Sequence, residues 1–507
     1  MKFISTRGGE KICAAQAILQ GFGVDGGLFA PEKIPVVSKE EFALMAEMGY
    51  SERAAFILGK YLGDEFGEEF LKELCEKAYA SFTTADPVPL VKIDDGFYIL
   101  ELYHGPTGSF KDLSIRLLPA LFKKSCELCG VEDDILILTA TCGDTGKAAM
   151  ESFRDMEGVK VATVYPDEGV AKMQRIQLSI QDGDNLFVGA VSGTIDDCRK
   201  LVKKAFTDES FGEELKKRKI RLSCVNSANI GRLLPQIAYY FSAYLDMLGA
   251  GRIEEGEEVD FVVPTGSFGN IMSGWYAKKM GLPIRKLICA SNRNKALADF
   301  FETGKYDVKR NFHRTMSPSM DVLFAADIER LLFEVSGRNA AQIADRMKNL
   351  ETRGEFSITM TEKAKIEKDL YGGYAGEDET VEAMYDLFEE YGYPMDTHTG
   401  VGLAVYADYA DRKDKKDFTS TVVLSTANPY KFPQDVLYAL SGNDVKDSFK
   451  GVKRLNLLTA MKPPKSIVEL RYRPLRFKKV YPVDFKKISA AVLEFVDGNI
   501  IPVPDKK

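Results

Sequence analysis

The chain has 507 residues, enough for two or three domains. Its 45% hydrophobic and 28% charged content is that of an ordinary soluble globular protein. A net charge of −7, with both signs interspersed, argues against a nucleic-acid or anionic-membrane surface, and no apolar run reaches the roughly 20 residues of a membrane helix.

Residues 1–85 read as a mostly helical N-terminal domain. Apolar residues at helical spacing predict helices over 40–48, 52–62 and 68–80, preceded by a turn at Asp25-Gly26-Gly27. The first seven residues lack the apolar core of a signal peptide, so the cytoplasm is the expected compartment. A break at Thr83-Thr84-Ala85-Asp86-Pro87 marks a domain boundary.

From about residue 95, short apolar runs alternate with helical patterns. Strands are predicted over 97–102, 135–140, 159–165, 186–191, 222–225, 259–263, 286–290 and 421–425. Several are unbroken apolar runs, as parallel strands covered on both faces require. The alternation predicts an α/β fold with open, mostly parallel sheets, whose ligands bind beyond the carboxyl ends of the strands. The catalytic region is expected over 86–440, with the irregular, charged stretch 306–380 read as an insertion. Residues 441–507, with Pro463-Pro464, read as a wrapping C-terminal extension.

The basic run 412–416 is interrupted by Asp414 and reads as a solvated helix end. The eight cysteines are scattered apart from a single C-x-x-C at Cys126 and Cys129, which reads as half-buried helix residues. The only histidines are His104, His313 and His398, too few for a histidine-rich metal centre, and no metal site is expected.

Four polar loops follow predicted strands. The first, His104-Gly105-Pro106-Thr107-Gly108-Ser109-Phe110-Lys111-Asp112, places Lys111 at a helix start. That end of the helix dipole repels a cation, so the amine there is easier to deprotonate, as Schiff-base chemistry needs. The bland alternative is a surface lysine after a turn. The second, Thr139-Ala140-Thr141-Cys142-Gly143-Asp144-Thr145-Gly146, offers backbone N–H groups at a helix N-terminus, suited to a carboxylate. It also reads as a tight turn capped by Asp144 or Thr145.

The third loop, Gly266-Ser267-Phe268-Gly269-Asn270, is open enough for backbone N–H groups to approach a phosphate. Its spacing fits neither the dinucleotide fingerprint nor the P-loop. In the fourth, Ser425-Thr426-Ala427-Asn428-Pro429, Thr426 could offer a neutral hydroxyl to a ring nitrogen. Each loop alone also reads as a strand end and turn.

Together the loops resemble threonine synthase, of the pyridoxal-phosphate fold type II shared with the tryptophan synthase β chain. The lysine loop looks like that family's cofactor-lysine motif, Gly143-Asp144-Thr145-Gly146 like its substrate loop, and residues 266–270 like its cofactor-phosphate loop. Ser5-Thr6-Arg7-Gly8-Gly9 and Asp25-Gly26-Gly27-Leu28-Phe29 look like its N-terminal signature. Asn226-Ser227-Ala228-Asn229-Ile230-Gly231-Arg232 and Ser319-Met320-Asp321 are further family-like pieces. Cys142, Ser267 and Asn428 stand where serine, asparagine and histidine are usual.

The resemblance implies two α/β lobes and pyridoxal 5′-phosphate as cofactor. It further implies conversion of O-phosphohomoserine and water to threonine and phosphate. Lys111 is expected to carry the cofactor as a Schiff base and then to act as acid and base. Residues 266–270 would hold the cofactor phosphate and Thr426 would face the ring nitrogen. Thr141, Cys142, Gly143, Asp144 and Thr145 would hold the substrate carboxylate, and Asn226, Ser227 and Arg232 the leaving phosphate. His104 and His398 are given no catalytic role. The expected partner is the small-molecule substrate, with no nucleic acid or membrane, in a monomer or homodimer. Two other readings fit the same residues: a phospho-lyase ending in 2-oxobutanoate, and a non-catalytic protein that binds the cofactor or an amino acid.

Overall fold

The unbroken apolar runs become the central strands of two sheets. In the computed structural model, which describes residues 1–414 and 416–499, one sheet has six strands. Their order is Leu370–Tyr374, Ile284–Ser291, Val259–Pro264, Thr421–Ser425, Phe97–Glu101 and Leu90–Asp94. All neighbours are parallel except the last pair. The second sheet is wholly parallel, in the order Val480–Tyr481, Leu186–Val191, Val159–Pro166, Asp134–Ala140, Ile220–Ser223. Every residue of the strands Val259–Pro264, Thr421–Ser425 and Leu186–Val191 is buried, which is why their sequences do not alternate.

Some elements left little trace in the sequence. The strand expected over 222–225 is Ile220–Ser223, since Cys224 and Val225 leave the sheet and turn toward the motif loops. Residues 1–85 hold the three expected helices, Lys39–Ala46, Tyr50–Phe66 and Glu68–Tyr79. They also hold a small antiparallel sheet of Lys2–Ser5, Ile12–Cys13 and Phe29–Pro31, whose strands are too short to show alternation.

The strand Leu370–Tyr374 lies within the stretch read as an insertion, yet it forms the edge of the six-stranded sheet. Its Gly372 and Gly373 hide it from an apolar-run reading. Both are crowded by side chains, of Phe301 and Val405 respectively, where no Cβ would fit. Residues 441–499 run from the first lobe to the second, where Val480–Tyr481 pairs with Leu186–Val191; the expected extension beyond 499 lies outside the described residues.

The run 412–416 departs from a wholly solvated helix end. Lys413 places its Nζ 2.9 Å from the buried carboxylate of Asp260, while Arg412 stays exposed beside Asp408 and residue 415 lies outside the described residues. Cys126 and Cys129 are half-buried free thiols on the helix Leu118–Cys129.

The N-terminal motif is a clamp. Arg7 donates from Nε and Nη2 to the two oxygens of Glu329 at 2.9 and 2.8 Å, and Thr6 Oγ1 donates to Oε1 at 2.6 Å. Glu329 is buried on the helix Ile328–Val335, so the first strand is tied to the segment that borders the glycine loop. Glu329→Ala leaves Arg7 without its carboxylate in a mostly buried setting, and should lower unfolding stability by about 3 kcal/mol in urea titration. A loss below about 0.5 kcal/mol would make the contact a surface ion pair in energy.

Candidate active site

The lysine loop is built on its own buried carboxylate. Asp112 accepts from the backbone N–H and Oγ1 of Thr107, each at 2.8 Å, and burial pushes its carboxyl up to about 6. The loop is also stapled to the end of the strand Thr421–Ser425. Phe110 N–H donates to the Thr426 carbonyl and Asn428 N–H to the Gly108 carbonyl, both at 2.9 Å. Lys111 thus sits where expected, at the start of the short helix Asp112–Ile115, with its side chain turned inward.

Its Nζ lies 3.1 Å from Oδ2 of Asp144, which belongs to the other lobe. Burial lowers the Lys111 ammonium below its ordinary range; Asp144 opposes that shift, and Arg232 and Lys431 add to it. Burial alone would raise the Asp144 carboxyl, but Lys111 and Lys431 outweigh it and hold the group well below the usual carboxylate range.

Asp144 does not cap its helix, nor does Thr145. The N-cap of Asp144–Phe153 is Gly143, whose φ of 124° is closed to an L side chain and whose Cβ would strike Gln174. The capping oxygen belongs to Thr141, whose Oγ1 accepts from Gly143 N–H at 2.9 Å and Gly146 N–H at 3.0 Å. Thr141 N–H is itself engaged by the Val164 carbonyl. Of the N–H groups expected to face a carboxylate, those of Thr141 and Gly143 are therefore taken. Those of Cys142, Asp144 and Thr145 have no acceptor among the described residues. The Cys142 thiol, pushed up to about 11 by burial, stays protonated at neutral pH.

The glycine loop leaves the strand Val259–Pro264 and enters the helix Gly269–Lys279. Phe268 adopts the left-handed conformation at φ 74°, a strained choice for a non-glycine residue that turns the chain sharply. None of the backbone N–H groups of residues 266–270 meets an acceptor among the described residues. Gly266 has no room for a Cβ, which would lie 2.4 Å from the Ser319 carbonyl oxygen. Asn270 commits one carboxamide N–H to the Pro264 carbonyl at 2.9 Å and its Oδ1 to Ile271 N–H, which fixes the side chain and leaves its second Nδ2 hydrogen without an acceptor among the described residues. Ser267 acts through its backbone, accepting from Asp327 N–H at 3.0 Å.

Arg232 is buried, not a surface helix residue. One Nη reaches Thr145 Oγ1 at 3.5 Å and the Val225 carbonyl at 3.3 Å, and its Nε has no partner among the described residues. Burial lowers it to about 10. Asn226 turns its Oδ1 back to Ala228 N–H at 3.0 Å. Ser227 borders Gly269 and so lies beside the glycine loop, while only Arg232 reaches the 141–146 loop. Thr426 is buried at the strand end, as expected.

Several residues of the cluster were not legible as site residues. Lys431 is fully buried, with Nζ 3.0 Å from Asp144 Oδ1, and Gln174 donates to the same oxygen at 2.6 Å. His398, expected as a bystander, is buried beside the site. Its Nδ1 pairs with Asp396 at 2.8 Å and its Nε2 accepts from Ser319 N–H at 3.1 Å. His104 pairs with Glu101 at 2.7 Å. The one sequence signal for Lys431 was its place two residues after Asn-Pro at a strand end.

The chain is similar in sequence and in fold to known proteins. The family model for the threonine synthase N terminus matches residues 2–79, that for pyridoxal-phosphate dependent enzymes 84–426, and that for the threonine synthase C-terminal region 399–492. A threonine synthase of Pseudomonas aeruginosa is 35% identical, the match covering 86% of this chain and 90% of that one. The threonine synthase-like 1 protein of Macaca fascicularis is 36% identical over 88% of this chain, which spans only 62% of that longer relative. The crystal structure of a pyridoxal-phosphate-bound threonine synthase from Brucella melitensis superposes with a TM-score of 0.84 at 33% identity, covering 98% of this chain and 99% of that one.

The depressed Asp144 carboxyl has a pH signature. Its stabilising contribution is complete above the unfolded carboxylate value, about 4, and is lost as pH falls through the lower folded value. Asp144→Asn should cost about 3 kcal/mol or more at neutral pH, because the buried Lys431 ammonium loses its counter-charge and Lys111 loses the carboxylate it faces. It should also flatten the fall in urea midpoint below about pH 4. An acid limb unchanged by the substitution would contradict the assignment.

Proposed function

From the premise that the chain belongs to the threonine synthase family of pyridoxal-phosphate-dependent enzymes, we propose that it converts O-phospho-L-homoserine and water to L-threonine and phosphate, with Lys111 carrying the cofactor. The observation that supports this most is the meeting of three features across one cleft. A buried lysine whose ammonium form is disfavoured touches Asp144, beside the unengaged N–H groups of Cys142, Asp144 and Thr145, and Ser319, 3.5 Å from the same carboxylate, packs on Gly266 at the start of the unengaged run 266–270.

The residues fit pyridoxal phosphate. The donors of 266–270 are neutral, unengaged among the described residues and lie at the N-terminus of the helix Gly269–Lys279, which suits a phosphate dianion. When bound, the cofactor supplies the electron sink for proton removal beside the substrate amine. The chain supplies the rest. Lys111 Nζ moves the protons at the α and neighbouring carbons, its neutral form being favoured by burial. Cys142, Asp144 and Thr145 orient the α-carboxylate through their N–H groups. Arg232, with an unpartnered Nε and a hydroxyl neighbour in Thr145, takes the leaving phosphate. Thr426 would offer the cofactor ring a neutral hydroxyl, and the cytoplasm is the proposed site of action.

Incubation with O-phosphohomoserine and pyridoxal phosphate should release phosphate and threonine in equal amounts. Lys111→Ala should lower the rate by more than about 10³-fold and abolish the visible absorbance of the loaded protein. Accumulation of 2-oxobutanoate in place of threonine would reject the proposed outcome while leaving the lysine assignment intact.

A further inference from the structure

The cleft holds two buried lysines on one carboxylate, and the family motif accounts for only one. We infer that Lys431 is a positioning residue for Lys111: it fixes the loop that carries the reactive amine and serves as the resident cation of the site, so that Lys111 is the lysine that gives up its proton. The inference rests on the reading of Lys111 as the cofactor-bearing residue.

The first part is geometric. Lys431 lies in the turn Pro429–Lys431 and is wholly buried. Its ammonium has three donors, and the structure supplies three acceptors: the Thr107 carbonyl at 2.8 Å, Gln177 Oε1 at 3.3 Å and Asp144 Oδ1 at 3.0 Å. The Thr107 bond adds a side-chain tie to the two backbone staples at Phe110 and Asn428. Lys431 thereby holds one end of the lysine loop and, through Asp144, the opposite lobe.

The second part is charge balance. Lys111 faces Asp144 from the helix Asp144–Phe153, Arg232 from the helix Ile230–Leu233, and Lys431 from the turn after the strand Thr421–Ser425. Asp144 also feels His398 from the helix Thr397–Asp411. Asp112, within the lysine loop, is turned to Thr107, and the Cys142 thiol is protonated at neutral pH. Arg232 is faced by Asp327 as well as by Asp144, and Asp112 also feels Lys431, but Asp144 is the carboxylate that both lysines share, and it cannot fully compensate two buried ammonium groups at once. Arg232 does not deprotonate. Lys431 has a complete set of acceptors, whereas the Lys111 ammonium has Asp144 Oδ2 as its one acceptor among the described residues. Lys111 is the less compensated of the two lysines, and its ammonium form is the one that the site disfavours.

The test is competitive acetylation of the full chain, freed of cofactor, across about pH 6 to 10.5, with the Lys111 peptide quantified by mass spectrometry. In Lys431→Gln, the Lys111 titration should move up by about one unit or more, because a repelling cation is gone and Asp144 is left to Lys111 alone. Lys431→Arg keeps the charge and should leave the midpoint within about 0.3 units. An unmoved Lys111 midpoint in folded Lys431→Gln overturns the inference. If that variant does not fold, Lys431→Arg decides: a midpoint raised by about one unit despite the retained charge overturns it, and an unchanged one upholds it. A wild-type Lys111 that titrates like surface lysines would instead overturn the underlying assignment of the reactive amine.

Discussion

A single buried carboxylate, Asp144, is the contact on which the site depends. It belongs to the loop leaving the five-stranded sheet, yet its two oxygens face lysines carried by loops of the six-stranded sheet. Charge pairing in a water-poor cleft is strong but unforgiving, because any unpaired member carries the desolvation cost alone. The two lobes are therefore held in register at the point where chemistry is to occur. The turn that presents Asp144 depends in its own right on Gly143 and on the Thr141 hydroxyl, which caps the helix and frees the carboxylate to point across the cleft.

The surrounding segments are tied to that contact by polar bonds. The glycine loop is backed by Asp327, whose neighbour Glu329 is gripped by Arg7 of the N-terminal strand. Over the same loop lies the turn around Ser319, anchored by His398 and by a buried network in which Asp321 accepts from Asn292 and Thr315. Burial pushes the Asp321 carboxyl up to about 6. The N-terminal signature and the Ser319-Met320-Asp321 piece thus serve one end: they fix the backbone that borders the 266–270 donors.

Much of this was legible in the sequence because its physical causes are local. Unbroken apolar runs gave the buried parallel strands, and small polar residues at their ends marked the loops. The helix-start position of Lys111 was readable from the motif and the change of periodicity after it. What was not legible depends on contacts distant in sequence. Gly372 and Gly373 mask an edge strand because the crowding that requires them comes from Phe301 and Val405. Thr141, not Asp144 or Thr145, caps its helix because Asp144 is claimed by lysines from the other lobe. Lys431 looked like any lysine after a turn, since nothing in its neighbours in sequence announces that Thr107, Gln177 and Asp144 converge on it. Lys413 escaped notice for the same reason, its partner Asp260 lying at the start of a distant strand.

The central claim is that the amine bonded to the cofactor is that of Lys111 and not its buried neighbour. Borohydride reduction of the pyridoxal-phosphate-loaded protein, followed by proteolysis and mass spectrometry, locates the bond directly. The account predicts a phosphopyridoxyl group on the peptide containing Lys111, with Lys431 unmodified. The same group on Lys431, or spread over surface lysines, would contradict it.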